Sequence, residues 1–368
     1  MKLFCAQKDL DHALNIVNKA IGSNNTLPVL NNILIKAEGK KLYFSSTNLE
    51  IAISCSISAD VRGEGSITVP AKLITNYISL LTDEKVELNL AEGVSLAIDS
   101  STSHTKIKCI SADEFPLIPK VEKGYEFSIG VDDFYKAITE TVFAASVNTT
   151  RPVLSGVYMA SKGEELKIAA TDSYRLAEKT VKPTKAEKDD FSVIVPAKTM
   201  MELGKILSKS DGKEVKANVS KNQISFFVDG VELISRLIEG KFPDYEKIIP
   251  KDSKTKFEVS VEDLSLVLKR VSLFARENNN SVKLSVTNDG RLTVSSEETK
   301  VGEEKADVVV KVDGENNKIS LNSQYLLDVL TYISDDKIQF SMNDKASPAR
   351  ISPVDGGGYV YIIMPLKV

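Results

Sequence analysis

Apolar positions along this chain fall into two alternating patterns, and the same succession of patterns is met three times. A short strand-like segment comes first. A stretch with apolar residues at i, i+3, i+4 and i+7 follows, the spacing of an amphipathic helix. The first copy is Lys2-Leu3-Phe4-Cys5, then a helix from Asp9 with Leu10, Ala13, Leu14 and Val17 on one face. The second is Glu126-Phe127-Ser128-Ile129, then Asp133 with Phe134, Ala137, Ile138 and Val142. The third is Lys256-Phe257-Glu258-Val259, then Asp263 with Leu264, Val267, Leu268 and Val271. Each helix carries an acidic residue in its first turn, where the helix dipole favours it.

A second helix is predicted in every copy. It follows Val69-Pro70-Ala71-Lys72, with Leu73, Ile74, Tyr77, Leu80 and Leu81 as its apolar set. It recurs after Val195-Pro196-Ala197-Lys198, with Met200, Met201, Leu203 and Leu207, and after Leu321-Asn322-Ser323-Gln324, with Tyr325, Leu326, Val329, Leu330 and Ile333. The prolines are read as first-turn residues, where a missing N–H costs nothing. Segments alternating with period two fill the rest, among them 42–45, 51–55, 166–169, 224–228 and 283–286, and Asn288-Asp289-Gly290 reads as a hairpin turn. Two further matches sit at one offset of about a third of the chain. Thr47-Asn48-Leu49-Glu50-Ile51-Ala52 answers Thr171-Asp172-Ser173-Tyr174-Arg175-Leu176, and Leu27-Pro28-Val29-Leu30 answers Arg151-Pro152-Val153-Leu154. Proline-bracketed connectors, 114–119 and 241–250, close the first two copies. The expectation is an α+β fold of three tandem repeats, with domains at 1–122, 123–252 and 253–368.

Composition narrows the function classes. With 368 residues and 42% hydrophobic content, the size of the chain sets no limit on its core. No apolar run approaches the length of a membrane helix, and no leader pattern opens the chain. Three cysteines without framework spacing point to a reducing, cytoplasmic setting. The net charge of −4 does not advertise nucleic acid binding, so any DNA role needs an uneven charge distribution. The six predicted helices are slightly more basic than the remainder.

Catalytic chemistry finds little support. There are two histidines, His12 on the polar side of the first helix and His104 near a strand start. No metal-ligand spacing, phosphate loop or dinucleotide fingerprint occurs. Asp172-Ser173-Tyr174-Arg175 contains nucleophile types but no base nearby in sequence. No enzyme and no cofactor are expected.

The three copies, the segments Thr171-Asp172-Ser173-Tyr174-Arg175-Leu176-Ala177 and Phe242-Pro243-Asp244-Tyr245, and the ending Ile362-Ile363-Met364-Pro365-Leu366 together resemble the bacterial DNA polymerase sliding clamps, the beta subunits of the replicative polymerase. The resemblance covers the whole chain. It implies a head-to-tail homodimer closed into a ring, with sheets outside and two helices per domain facing a central hole. Duplex DNA would pass through that hole, and the ring would tether the polymerase as a processivity factor. It implies DNA contacts at Lys72, Lys198, Lys205 and Arg276, with Lys209, Lys269 and Arg270 as further basic positions. Mobile point charges of this kind attract phosphates without fixing register. Two places depart from the family pattern. The loop Gly22-Ser23-Asn24-Asn25 carries no basic residue, and Asn148-Thr149-Thr150-Arg151-Pro152-Val153 lacks a tyrosine pair.

The resemblance also implies a hydrophobic cleft for short peptides from polymerase, clamp loader and repair factors. Carried over by position, it is lined by Leu154, Thr171, Ser173, Tyr174, Arg175, Leu176, Pro243, Lys247, Ile248, Pro348, Ile362, Ile363, Met364, Pro365 and Leu366. For the dimer it pairs the basic strand holding Lys106 and Ile107 with the acidic stretch 297–304, including Glu303 and Glu304. Ile107 would pack on Leu273 and Phe274. A repeat-built protein-binding scaffold without a DNA role is the alternative.

Overall fold

The computed structural model describes residues 1–22, 27–91, 94–187, 189–300 and 302–366. The six predicted helices are all present. They are α1 (Gln7–Val17), α2 (Ala71–Ser79), α3 (Val131–Val142), α4 (Ala197–Leu207), α5 (Val261–Ala275) and α6 (Ser323–Tyr332). Their starts differ chemically. Ser260 caps α5 by accepting from Asp263 N, and Asn322 caps α6 by accepting from the amides of Gln324 and Tyr325. Pro70 is the residue preceding α2 rather than part of its first turn. Its ring fixes φ at a value that leads into the helix without a side-chain cap.

The chain forms two compact units. The first comprises Met1–Asp132, Thr184–Glu187 and Glu202–Leu237, and the second Asp133–Pro183, Lys188–Met201 and Ile238–Val368. In the first, a five-stranded antiparallel sheet has the order 60–63, 2–6, 85–91, 95–99, 104–108. A nine-stranded antiparallel sheet runs 185–186, 125–130, 214–219, 223–228, 231–236, 51–58, 41–47, 32–38, 65–70. Helices α1 and α2 pack side by side, and Leu10, Leu14, Ile74 and Ile78 are fully buried with Phe44 and Ile53.

The second unit repeats the plan. Its nine-stranded sheet has the order 191–196, 156–162, 165–171, 175–181, 359–363, 349–353, 337–342, 255–260, 311–314. Its four-stranded sheet has the order 305–309, 291–296, 281–287, 317–322. Here α5 packs beside α6, and Phe257 stacks on its cross-strand partner Phe340 at 4.9 Å. The hairpin turn at Asn288-Asp289-Gly290 is present, with Gly290 at φ 90°.

One feature departs from the sequence reading. Leu73 and Leu80 near α2 and Met201 on α4 belong to the apolar sets that spacing assigns to buried faces, yet they are 54%, 80% and 45% exposed. Each helix buries a narrower stripe than its apolar content allows. The sheets join strands that lie far apart in the chain. Strand 51–58 pairs with 231–236, and strand 175–181 pairs with 359–363. Period-two alternation reports which face is buried but not which strand lies alongside.

The three cysteines are free thiols. Burial, with Asp9 adding for Cys5, pushes Cys5 and Cys55 up to about 12. Both raised values mean the neutral thiol is favoured by folding. Their contribution is therefore complete below the unfolded value of about 8.5 and is lost as pH rises from there toward 12. In the native protein at pH 8, a thiol reagent is expected to modify half-buried Cys109 first and to reach Cys5 and Cys55 only on unfolding. Three equivalents released at one rate would contradict this burial.

Candidate functional site

The site grows from the tight turn joining strands 165–171 and 175–181. Thr171 Oγ1 accepts from Ser173 N at 3.1 Å and donates to Arg175 O at 2.5 Å. Asp172 Oδ1 accepts from the amides of Tyr174 and Arg175 at 2.9 and 3.0 Å. These bonds hold Ser173 at φ +80°, a conformation that costs a non-glycine residue about 1 kcal/mol or more. The turn leaves Tyr174 64% exposed.

Arg175 fastens this turn to distant parts of the second unit. Its Nε donates to Asp172 at 2.9 Å, Nη1 to Asp328 on α6 at 2.5 Å, and Nη2 to the Phe143 carbonyl at 2.9 Å. The guanidinium also lies over the rings of Tyr325 and Phe143, 4.6 and 5.5 Å from their centroids. Burial works against its charge, but Tyr361, Asp328 and Asp172 outweigh it, so its pKa is raised further above the ordinary arginine value. Each of its three nitrogens is committed within the protein. Arg175 therefore shapes the site rather than offering a free handle.

Beside the turn lies an open cavity of about 450 Å³. It brings Leu154, Ser173, Tyr174 and Arg175 together with Arg151, Asn148, Tyr325 and the fully exposed Val147. Thr171 is buried behind the turn. Leu176 and Ile362 pair across strands and sit in a core cluster with Phe242 and Tyr245, and Ile363 is equally buried. These three form the supporting wall and expose almost no surface. Phe242 stacks on Tyr158 at 5.0 Å, and Tyr245 donates to Glu178 at 2.5 Å, which anchors the connector 241–250. Burial first, then Glu178, raises the Tyr245 pKa and keeps that phenol protonated.

Pro243, Lys247 and Ile248 are exposed on the connector, with Lys247 paired to Asp244 at 2.6 Å. Pro348, Met364, Pro365 and Leu366 are half-buried. None of these seven lines the 450 Å³ cavity, although Met364 N donates to Tyr174 O at 2.9 Å, which places the chain end against the turn. Sequence reasoning missed Asp328 and Tyr325 as partners of Arg175. They belong to a helix far along the chain, and no local signal marks them.

The basic candidates divide. Lys72 and Lys198 are exposed in the first turns of α2 and α4, and Arg276 is exposed just beyond α5. Lys205 pairs with Glu202 at 2.9 Å. With Lys209 and the unforeseen Lys19, Lys205 borders another cavity of the first unit. Burial lowers the Lys19 pKa, Glu202 opposes this, and Lys205 and Lys209 add to the lowering. Ser23, Asn24 and Asn25 lie outside the described residues.

For the edges, strand 104–108 is terminal in its sheet and exposes Lys106, while Ile107 is buried in its own unit. In the second unit, strand 305–309 is also terminal, with Val309 92% exposed. Leu273 is exposed, Phe274 is half-buried near Gly302, Glu303 is exposed and Glu304 is half-buried. Val301 lies outside the described residues.

Among the described residues no group of His, Cys, Asp and Glu is placed to hold a metal ion, and no helix is long and apolar enough to cross a membrane. The architecture is an α+β fold of antiparallel sheets and helices matching solved DNA polymerase clamps. The Bacillus subtilis DNA polymerase sliding clamp superposes with a TM-score of 0.94 at 30% identity, covering 100% of this chain and 99% of that one. The beta sliding clamp of Synechocystis is 31% identical over 390 residues, with both chains fully covered, and that of Staphylococcus epidermidis is 32% identical over 97% of each. Models of the N-terminal, central and C-terminal domains of the DNA polymerase III beta subunit match residues 1–119, 128–244 and 246–367. The chain belongs to the DNA polymerase III beta subunit family. It is accordingly a non-catalytic accessory subunit, a processivity factor of DNA polymerase.

Proposed function

We propose that two copies of this chain close head to tail into a ring around duplex DNA. Each copy contributes three domains, 1–122, 123–252 and 253–368, with two helices per domain toward the hole and antiparallel sheets outside. The observation that carries this reading is the uninterrupted order of the three domain matches over the whole chain. A head-to-tail contact needs two different free edges, and terminal strands 104–108 and 305–309 supply them. Lys106 on one edge and Glu303 near the other have opposite charge. Exposed Lys72, Lys198 and Arg276, with Lys205, supply sequence-independent phosphate contacts.

The cleft beside residues 171–175 is the docking place for short hydrophobic peptides of the replicative polymerase, the clamp loader and repair factors. Leu154, Ser173, Tyr174 and Tyr325 line it, and the chain end at Met364 lies against the turn. An apolar wall beside an exposed tyrosine suits several short hydrophobic ligands. Loading onto DNA needs an external ATPase, and the protein works in the cytoplasm.

Topology separates this reading from ordinary DNA binding. Once loaded on a nicked circle, the protein is expected to stay through a salt wash that removes groove-binding proteins, and to be released when the circle is cut. The measurement is the fraction of labelled protein co-eluting with DNA before and after linearisation. Equal release from circle and linear DNA would overturn the ring.

A further inference from the structure

The turn at 171–175 has a twin in the first unit. Leu49 N donates to Thr47 Oγ1 at 3.0 Å, and the amides of Glu50 and Ile51 donate to Asn48 Oδ1 at 3.0 and 2.9 Å. Thr47 Oγ1 donates to Ile51 O at 2.9 Å. Bond for bond this is the arrangement at Thr171, Asp172, Ser173, Tyr174 and Arg175. Leu49 stands at φ +74° where Ser173 stands at +80°. The neighbouring strand is duplicated too. Ile51 faces Ser235 as Arg175 faces Ile363, and Arg236 N donates to Glu50 O at 2.9 Å as Met364 N donates to Tyr174 O.

This twin also has a groove. The connector carrying Pro116, Leu117 and Ile118 borders it, and its volume is about 90 Å³, room for one aliphatic side chain. Leu117 is 97% exposed and Leu49 47% exposed. A leucine held at positive φ is costly, and the Thr47 and Asn48 bonds keep it there with its side chain half in solvent. The chemistry of the groove differs from that of its counterpart. Glu50 and Arg236 stand where Tyr174 and Met364 stand in the second unit. Arg236 is exposed, and among the described residues no carboxylate pairs with it. An unpaired guanidinium beside an apolar slot suits one carboxylate next to one apolar side chain. Glu50 on the same lip disfavours a second carboxylate.

We propose that the groove formed by Leu49, Leu117, Ile118, Ile234 and Arg236 is a second peptide-docking site, taking a short extended segment that carries an apolar residue next to a single acidic one. The site stands on the geometry of the first unit alone, so failure of the cleft at 171–175 leaves it intact.

The test uses the full chain with labelled leucine, isoleucine and valine methyl groups, followed by NMR. The probe is the peptide acetyl-Gly-Leu-Phe-Asp-amide, with the Asn analogue as its comparator. The methyl signals of Leu49, Leu117 and Ile118 are expected to move with the Asp peptide at sub-millimolar to millimolar concentration, and to respond at least tenfold more weakly to the Asn peptide. Arg236→Glu is expected to weaken the Asp peptide tenfold or more at these signals. Leu117→Asp should remove the response. Both side chains are exposed, so neither change takes away core packing. Shifts confined to Leu154 and Ile363, no shifts at all, or shifts at Leu117 unchanged in Arg236→Glu would each overturn the proposal. Concentration-dependent shifts of the same methyl groups without peptide would assign the groove to self-association and likewise overturn it.

Discussion

Replacing Arg175 with alanine is expected to lower the unfolding free energy by about 3 kcal/mol and to remove peptide binding at the cleft beside it. The side chain is 11% exposed and joins Asp172, Asp328 and the Phe143 carbonyl, with two aromatic faces against it. Its loss strands two carboxylates that are 14% and 26% exposed. Removing one member of a buried ion pair typically costs about 3–5 kcal/mol. The lower end applies here because each carboxylate keeps other donors. Asp172 still accepts two backbone amides, and Asp328 still accepts Gln324 Nε2 at 2.8 Å. Peptide binding should suffer more than stability, because Tyr174 and Ser173 are positioned by the same turn. Arg175→Lys retains the charge but not the planar fork, and should fall between wild type and alanine on both measures. Denaturant unfolding and fluorescence polarisation with a short apolar peptide read the two effects. If Arg175→Ala melts and binds as wild type does, Arg175 is not the clasp described here.

Lys179→Met is expected to cost a similar amount, about 3 kcal/mol or more, by a different route. Glu140 on α3 is 1% exposed and meets Lys179, 8% exposed, at 2.9 Å. Ser334 Oγ donates to the same carboxylate at 3.3 Å, and Lys136 approaches it at 3.6 Å. Lys179 also lies near the ring of buried Tyr359, 5.9 Å from its centroid. Methionine fills the stem of the lysine but leaves the carboxylate with Lys136, which is 40% exposed, and one hydroxyl. A partner reaching in from solvent screens poorly for a group fully out of water. The double change Glu140→Gln with Lys179→Met removes both charges and should recover most of the loss, since a buried pair contributes less than the damage of breaking it. Urea midpoints of the two variants decide the matter. A single variant within about 1 kcal/mol of wild type would mean that Glu140 is relieved in some other way.

Local patterns are readable because local physics makes them. All six helices follow from apolar spacing, and so do most of their buried positions. The exceptions, Leu73, Leu80 and Met201, lie at the margins of their stripes, where spacing alone cannot tell a half-covered position from a buried one. The echo of Thr171–Leu176 in Thr47–Ala52 is weak as a sequence match and nearly complete as a set of hydrogen bonds. In both copies a Thr followed by Asn or Asp supplies the same side-chain acceptors to the backbone amides of the turn.

Pairings between distant segments are not readable in this way. That Arg175 is held by Asp328 and Tyr325, or Glu140 by Lys179, depends on which strands become neighbours. Neighbours such as strands 175–181 and 359–363 are chosen by edge hydrogen bonding and by the joint packing of the whole core, to which each segment contributes only part. The sequence by itself determined the six helices, the alternating strand segments and the hairpin turn at Asn288-Asp289-Gly290, because these rest on spacing and on bonds within a few residues. Only the tertiary structure decided that Leu176, Ile362 and Ile363 are wall and Tyr174 is surface, that Arg175 is clasp, and that Arg236, beside an apolar slot, has no carboxylate partner among the described residues. Burial and charge pairing are properties of assembled neighbours, and no single segment carries them.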